Sequence, residues 1–367
     1  MVAQHGSVEN LVNAGFWKGR KVLVTGHTGF KGSWLVLWLR QLGAVVTGFS
    51  LEPPTNPNLF TLASVTGDCT DLRGDIADAV ALQKTFLDAA PEIVFHLAAQ
   101  PLVRESYRNP RETWKTNVMG TLEVLEACRS SDSVNTVVVI TTDKVYENPE
   151  RGIPFGEDDP FGGYDPYSSS KAACEILCAS WRRSFMPGDS KRKIGLATAR
   201  AGNVIGGGDF APDRLIPDFV RGWESGSAVR LRYPQALRPW QHVLEPLSGY
   251  LLLAECLHGD AQKFSTSYNF GPLEADIRSV GEVADAVCQF LGTLWEHEKS
   301  SQPHEAGLLK LSSQRAWEQL TWKPRFRFTD AVSQTCDWYK GWRLGEDMRA
   351  LTLTQIQNYQ TLPPIVK

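Results

Sequence analysis

This chain has no apolar run long enough to cross a bilayer: its most apolar later segment, Tyr250 to Cys256, falls far short of the about 20 residues a spanning helix needs. The opening residues, MVAQHGSVEN, lack the basic, apolar and small-residue regions of a secretory signal. Neither sign of charge prevails. With 38 Lys and Arg against 41 Asp and Glu, the net charge is −3, which indicates neither a nucleic-acid partner nor an acidic tail. The seven cysteines are odd in number and none stands in CxxC spacing, so free thiols in a reducing compartment are expected, and no metal site. Cys174 and Cys178, one helical turn apart, read as a shared buried face. No internal repeat or low-complexity segment occurs. What remains is a chain of 367 residues, 42% hydrophobic, that can bury one large core or two unequal lobes and is expected in the cytoplasm.

Lys21 to Thr25 (KVLVT) reads as a buried strand, Gly26 to Gly32 (GHTGFKG) as a turn, and Ser33 to Leu42 as a helix stopped by Gly43. Strand, glycine turn and helix form the setting in which a dinucleotide pyrophosphate rests on unpaired helix N–H groups. The spacing is GxxGxxG, not GxGxxG, and the same glycines could serve a tight βα turn alone. Ala44 to Ser50 makes a second strand. The acidic residue expected at its end is missing, and Glu52 comes two residues late, before Pro53-Pro54, so the choice between NAD and NADP stays open at this position. Arg73-Gly74-Asp75-Ile76 ends a third short strand, and Asp75 reads equally well as the N-cap of a helix over Ala77 to Ala90. A fourth strand, Ile93 to Leu97, enters Ala98-Ala99-Gln100, small residues that admit a cofactor or a closely packed helix.

Thr113 to Cys128 has helical spacing, with Asn117 near its start. The run Val137 to Tyr146 (VVVITTDKVY) begins as a buried parallel strand and ends in Thr141, Thr142, Asp143 and Lys144. Open α/β sheets bind ligands at such carboxyl ends. After a loop rich in Pro, Gly and Asp over Pro149 to Tyr164, Tyr167 and Lys171 sit at i and i+4 on one face of the helix that continues through Ala172 to Trp181. A basic loop, Pro187 to Lys193, precedes a strand over Ile194 to Ala199 and the glycines Gly206 to Gly208. Helical pieces over Leu215 to Glu224, Leu247 to Leu257 and Val280 to Trp295 then alternate with short strands such as Val229 to Leu231.

The fold class expected is α/β, a Rossmann-type doubly wound parallel sheet with a smaller mixed α/β lobe. Residues 1–193, with 194–204 and 240–270, are assigned to the dinucleotide-binding domain, and 205–239 with 271–350 to the substrate lobe. Residues 351–367 are read as a tail, because Pro363-Pro364 argues against a terminal helix.

Taken together, GHTGFKG, TNVMGT (Thr116 to Thr121), TTDK (Thr141 to Lys144) and YSSSK (Tyr167 to Lys171) resemble the extended short-chain dehydrogenase/reductase family. Further stretches, LAAQPLVRESY (Leu97 to Tyr107), ARAGNVIGGGDF (Ala199 to Phe210) and RPWQHVLEPL (Arg238 to Leu247), are similar to those of its members that remove water from CDP-glucose. The resemblance covers about Phe16 to Trp338 and implies a tightly held NAD.

On that resemblance, Gly26, Thr28, Gly29, Phe30, Lys31, Gly32, Asp75, Ile76, Leu97, Ala98, Ala99, Gln100 and Asn117 bind the cofactor, together with Tyr167 and Lys171. Tyr167 takes the proton of the sugar 4-hydroxyl, with Lys171 lowering its pKa and Thr142 bonding the same hydroxyl. Asp143 is the acid at C6 and Lys144 the base at C5. A lysine with its ordinary pKa of about 10.4 is a poor base, so the amine must be depressed, act as a relay, or stabilise the enolate by charge. Asn203, Arg238 and His242 are implied as substrate contacts, His242 being read also as a core histidine. The resemblance further implies a homodimer or homotetramer pairing through Val103 to Cys128 and Tyr167 to Trp181. A 4-epimerase, a dehydratase for another nucleotide sugar and a catalytically silent dinucleotide sensor are the alternatives; Thr142, Tyr167 and Lys171 speak against the last.

Overall fold

A computed structural model describes residues 12–186, 193–298 and 307–365 of the chain. The basic loop expected at 187–193 lies, but for Lys193, outside the described residues. Seven strands form one parallel sheet: β1 (Lys21–Thr25), β2 (Val45–Ser50), β3 (Thr70–Arg73), β4 (Ile93–His96), β5 (Thr136–Ile140), β6 (Gly195–Ala201) and β7 (Ser267–Phe270). Their order is β7-β6-β5-β4-β1-β2-β3. β5 and β6 are buried at every position, as parallel strands covered on both faces must be.

Among the described residues, nine longer helices cover and extend the sheet: α1 (Phe30–Gln41), α2 (Ala79–Ala89), α3 (Gly120–Ser130), α4 (Pro166–Phe185), α5 (Leu215–Ser225), α6 (Leu244–Gly259), α7 (Val280–Leu291), α8 (Phe328–Leu344) and α9 (Met348–Thr361). One core joins α1, α6, α8 and α9 to one face of the sheet, with Trp34, Trp38 and Trp338 at its centre. A second core lies on the other face, under α2, α3 and α4, and includes Leu82, Leu125 and Cys178. Strand order reverses between β1 and β4, and at that switch point the turns after both strands open a crevice.

Element boundaries depart from the sequence expectations in physically readable ways. α1 starts at Phe30 and not at Ser33, because the extended Gly29 is its N-cap. Asp75 does not cap α2: Asp78 does, accepting from the Val80 and Ala81 N–H groups, while Asp75 holds the turn before it through the Ala77 N–H at 2.9 Å. The helix over Val280 to Trp295 stops at Leu291, where Gly292 takes φ 68°, and Trp295–His297 pairs instead with Val229–Leu231.

The tail expected at 351–367 is corrected outright. α9 runs to Thr361, and Pro363-Pro364 ends a helix instead of preventing one. Ile356 and Tyr359 are fully buried; the Tyr359 ring meets Trp38 edge-on, and its hydroxyl donates to Glu245 Oε2 at 2.9 Å. Truncating Tyr359 to Ala is expected to lower unfolding free energy by about 3–5 kcal/mol, as for a buried aromatic, in denaturant titrations. A loss below about 1 kcal/mol would show that α9 is a dispensable appendage.

Candidate active site

A cavity of about 700 Å³ fills the crevice above the carboxyl ends of β1, β4, β5 and β6. The turn after β1 forms its floor. Gly26, at φ 76°, passes so close to the turn after β4 that a Cβ would stand 2.7 Å from the Ala98 nitrogen, and a Cβ on Gly32 would stand 2.1 Å from the Gly26 carbonyl oxygen. These contacts bring two backbone turns and the α1 N-terminus together. Gly29 caps α1 without a side-chain bond, so the positive end of the helix faces the cavity as an anion seat. Thr28 lies just behind, its hydroxyl 2.9 Å from the Ser50 hydroxyl at the end of β2. Phe30, Lys31, Asp75, Ile76, Leu97, Ala98 and Ala99 also line the space, and the donor set fits a dinucleotide with a pyrophosphate at the helix end.

Gln100 and Asn117 do not line it, contrary to expectation. Asn117 lies in a π-helical turn, Lys115–Met119; its Oδ1 accepts the Gln100 N–H at 2.8 Å and its Nδ2 donates to Ser170 Oγ at 2.9 Å. Asn117 thus braces the turn after β4 against α4 from behind. Glu52, mostly exposed, reaches the cavity rim and pairs with Arg73 at 3.5 Å.

At the end of β5 the chain passes through Thr142 into a single turn, Asp143–Val145. Thr142 Oγ1 donates to Asp143 Oδ1 at 3.1 Å and accepts the Lys144 N–H at 3.4 Å. Tyr167 and Lys171 come from the first turns of α4, which Asp165 and Pro166 start, Asp165 accepting the Ser168 N–H at 2.9 Å. Thr142, Asp143, Lys144, Tyr167 and Lys171 all line the cavity.

Asp143 is 1% exposed, and its Oδ2 has no hydrogen-bond partner among the described residues. Burial lifts its carboxyl to about 6, against the opposing pull of Lys144, the Thr142 hydrogen bond, Arg238 and Lys31. A buried, protonatable carboxyl with a free oxygen is suited to donate a proton. Burial likewise pushes Tyr167 up to about 12, opposed by Thr142 and by Arg214. The Lys171 ammonium is turned to the Ile140 carbonyl at 3.1 Å, and burial lowers its own pKa. Lys31 is lowered to about 8, chiefly by burial and then by Arg214.

Of the residues expected to contact substrate, Asn203 and Arg238 reach the cavity, but His242 does not. It is fully buried between the rings of Trp34 and Phe326, which is the core alternative. Arg214, ion-paired with Asp209 at 2.7 Å, is a cavity cation that the motifs did not single out; the Asp-Arg pair Asp213-Arg214 close behind the glycine run was its only trace in the sequence. Among the described residues no cluster of three or more His, Cys, Asp or Glu side chains is placed to hold a metal.

A dinucleotide crevice with a Thr/Tyr/Lys set at the end of β5 defines a class, and the chain belongs to the NAD dependent epimerase/dehydratase family, whose profile matches residues 22–271. Within that class it is 45% identical over 355 residues to the CDP-glucose 4,6-dehydratase of Salmonella typhimurium, an alignment covering 96% of this chain and 99% of the relative. It is 30% identical to a dTDP-glucose 4,6-dehydratase of Streptomyces antibioticus, covering 87% and 92% of the two chains. The fold matches a solved dTDP-glucose 4,6-dehydratase of Streptomyces venezuelae with a TM-score of 0.76 at 24% identity, covering 89% of this chain and 98% of that one.

Because folded Asp143 holds its proton more tightly than the unfolded chain, its contribution to stability falls as pH rises from about 4 through about 6. Asp143→Asn is therefore expected to be more stable than the parent above pH about 6, with the gap closing toward pH about 4, in unfolding titrations across pH. A gap that does not change with pH would mean that Asp143 ionises as an ordinary carboxylate.

Proposed function

We propose that this chain is an NAD-dependent CDP-glucose 4,6-dehydratase, a hydro-lyase that oxidises C4, eliminates water across C5 and C6 and leaves a 4-keto-6-deoxy sugar. One observation carries this assignment: a redox set, Thr142, Tyr167 and Lys171, shares a cavity with a separate buried acid, Asp143, and an amine, Lys144. A 4-epimerase has use for the first set only. The 45% identity over nearly the whole chain to the Salmonella enzyme supports the cytidine substrate.

When bound, NAD supplies the acceptor and later the donor of the hydride, and brings a positive charge into the cavity that Tyr167 lines. Tyr167 accepts the proton of the C4 hydroxyl, and Thr142, lining the same cavity, hydrogen-bonds that hydroxyl. The resulting ketone acidifies C5. The Lys144 amine takes the C5 proton, Asp143 gives its own to the C6 hydroxyl, which departs as water, and Lys144 returns a proton to C5 as C6 receives the hydride, leaving the C6 methyl. Lys171, anchored on the Ile140 carbonyl, would hold the cofactor from the cavity wall. Arg238, Arg214 and Asn203 hold the diphosphate; guanidinium groups are suited to bidentate phosphate contacts.

We further propose a homodimer formed through the two helical stretches that carry the partly exposed side chains Tyr107, Trp114, Met119 and Ile176. The seven free thiols suit a reducing cytoplasm, where the product feeds deoxysugar synthesis for surface polysaccharide.

Offered CDP-, dTDP-, GDP- and UDP-glucose separately, the protein is expected to generate a C6 methyl signal in proton NMR with CDP-glucose; no methyl with any of the four would refute the dehydratase assignment. Lys144→Ala is expected to abolish deuterium exchange at C5 while C4 oxidation persists. Undiminished exchange would remove Lys144 from the role of base.

A further inference from the structure

Two consecutive residues at the carboxyl end of β5, Ile140 and Thr141, are bonded to members of a single stripe on α4. Lys171 Nζ donates to the Ile140 carbonyl at 3.1 Å and Thr141 Oγ1 donates to Glu175 Oε1 at 2.5 Å, while Thr142 and Tyr167 line the same cavity. Tyr167, Lys171 and Glu175 succeed one another at four-residue steps and so share a helix face. Two of the three are assigned to the chemistry. Glu175 does not line the cavity, yet it holds Thr141, which lies between the Lys171 contact at Ile140 and the turn that begins at Thr142.

Its carboxylate is fixed on every side. Oε1 accepts from Thr141 and from Arg200 Nε at 2.8 Å, while Oε2 accepts from Thr198 at 2.7 Å and from Arg200 Nη2 at 2.9 Å. Arg200 is held in turn by the Tyr146 hydroxyl at 2.7 Å and the Glu157 carbonyl at 3.0 Å. Neither ion reaches solvent, with side-chain exposures of 1% for Arg200 and 0% for Glu175. A carboxylate that cannot rotate gives Thr141 one position, and Thr141 precedes the turn that carries Thr142, Asp143 and Lys144.

We propose that Glu175 is a positioning residue for the active site, setting, through Thr141, the register of the Thr142–Lys144 turn against Tyr167 and Lys171. This rests on the dehydratase assignment for its kinetic consequence, though not for its structural one. The mechanism makes the two bonds to the same carboxylate unequal. Thr141 couples it to the catalytic turn, whereas Thr198, inside β6, does not.

The test compares Thr141→Val with Thr198→Val, isosteric changes that each delete one hydroxyl and leave the Arg200–Glu175 pair intact. Both are expected to lower the melting temperature by similar amounts. Thr141→Val alone is expected to reduce kcat for CDP-glucose by about ten- to a hundredfold, with KM within about twofold, the scale of a misplaced catalytic group. Thr141→Ser is expected to restore it. A second readout is independent of turnover: the infrared carboxyl band of Asp143, identified by its loss in Asp143→Asn, titrates nearer the ordinary carboxylate range in Thr141→Val, because the loosened turn admits water, and stays in place in Thr198→Val. Equal kcat losses in both valine variants, or an unmoved Asp143 titration in Thr141→Val, would overturn the proposal. Should the parent protein turn over no sugar nucleotide, the dehydratase assignment fails, and the infrared comparison still decides the positioning role.

Discussion

A carboxylate and a guanidinium buried together lose several kcal/mol of hydration each, and persist only where geometry and further hydrogen bonds offset that loss. Glu175 and Arg200 meet this condition in full, with a two-point ion pair supplemented by Thr141, Thr198, Tyr146 and the Glu157 carbonyl. The ring of Tyr146 stacks on Phe155, and its hydroxyl donates to Asn269 in β7. One charge pair thereby ties β5, β6, β7, α4 and the loop after β5 to a common point. Removing either ion would strand the other, at a cost of about 3–5 kcal/mol. The active-site turn stands on this point.

Above it, a dry environment separates groups that in water would behave alike. Burial raises Asp143 to about 6 and leaves it a proton donor at the edge of neutrality, while the same burial raises Tyr167 to about 12 and keeps its phenol protonated until charge enters the cavity. Thr142, bonded to Asp143, lines the cavity together with Tyr167 and so stands between the two groups. The burial that tunes Asp143 also destabilises its ionised form, a local sacrifice of stability of the kind functional sites make.

Much of this is legible in the residues. The apolar runs that form β1, β4 and β5, the glycine turn and the Tyr167/Lys171 spacing are local patterns, each repeated in the fold where expected. The features that escape are non-local or ambiguous by chemistry. The Glu175–Arg200 pair spans 25 positions and leaves no periodic trace. Asn117, Gln100 and His242 have side chains equally apt to bind a ligand or to satisfy the protein, and packing chooses the second. Pro363-Pro364 argues against a helix at the end of the chain only for the residues beyond Thr361, since proline commonly sits just past a helix C-terminus, and α9 accordingly runs right up to it. Arg214 lies in a loop without a pattern and is recognisable only once Asp209 and the cavity are placed beside it.

The central claim is that Asp143 belongs to elimination and not to oxidation. Its most direct test is Asp143→Asn incubated with CDP-glucose and NAD in deuterated water, with the sugar tracked by NMR. The expected result is substrate labelled at C5, because oxidation and proton removal still proceed, and no C6 methyl product. Methyl product formed at the parent rate would contradict it.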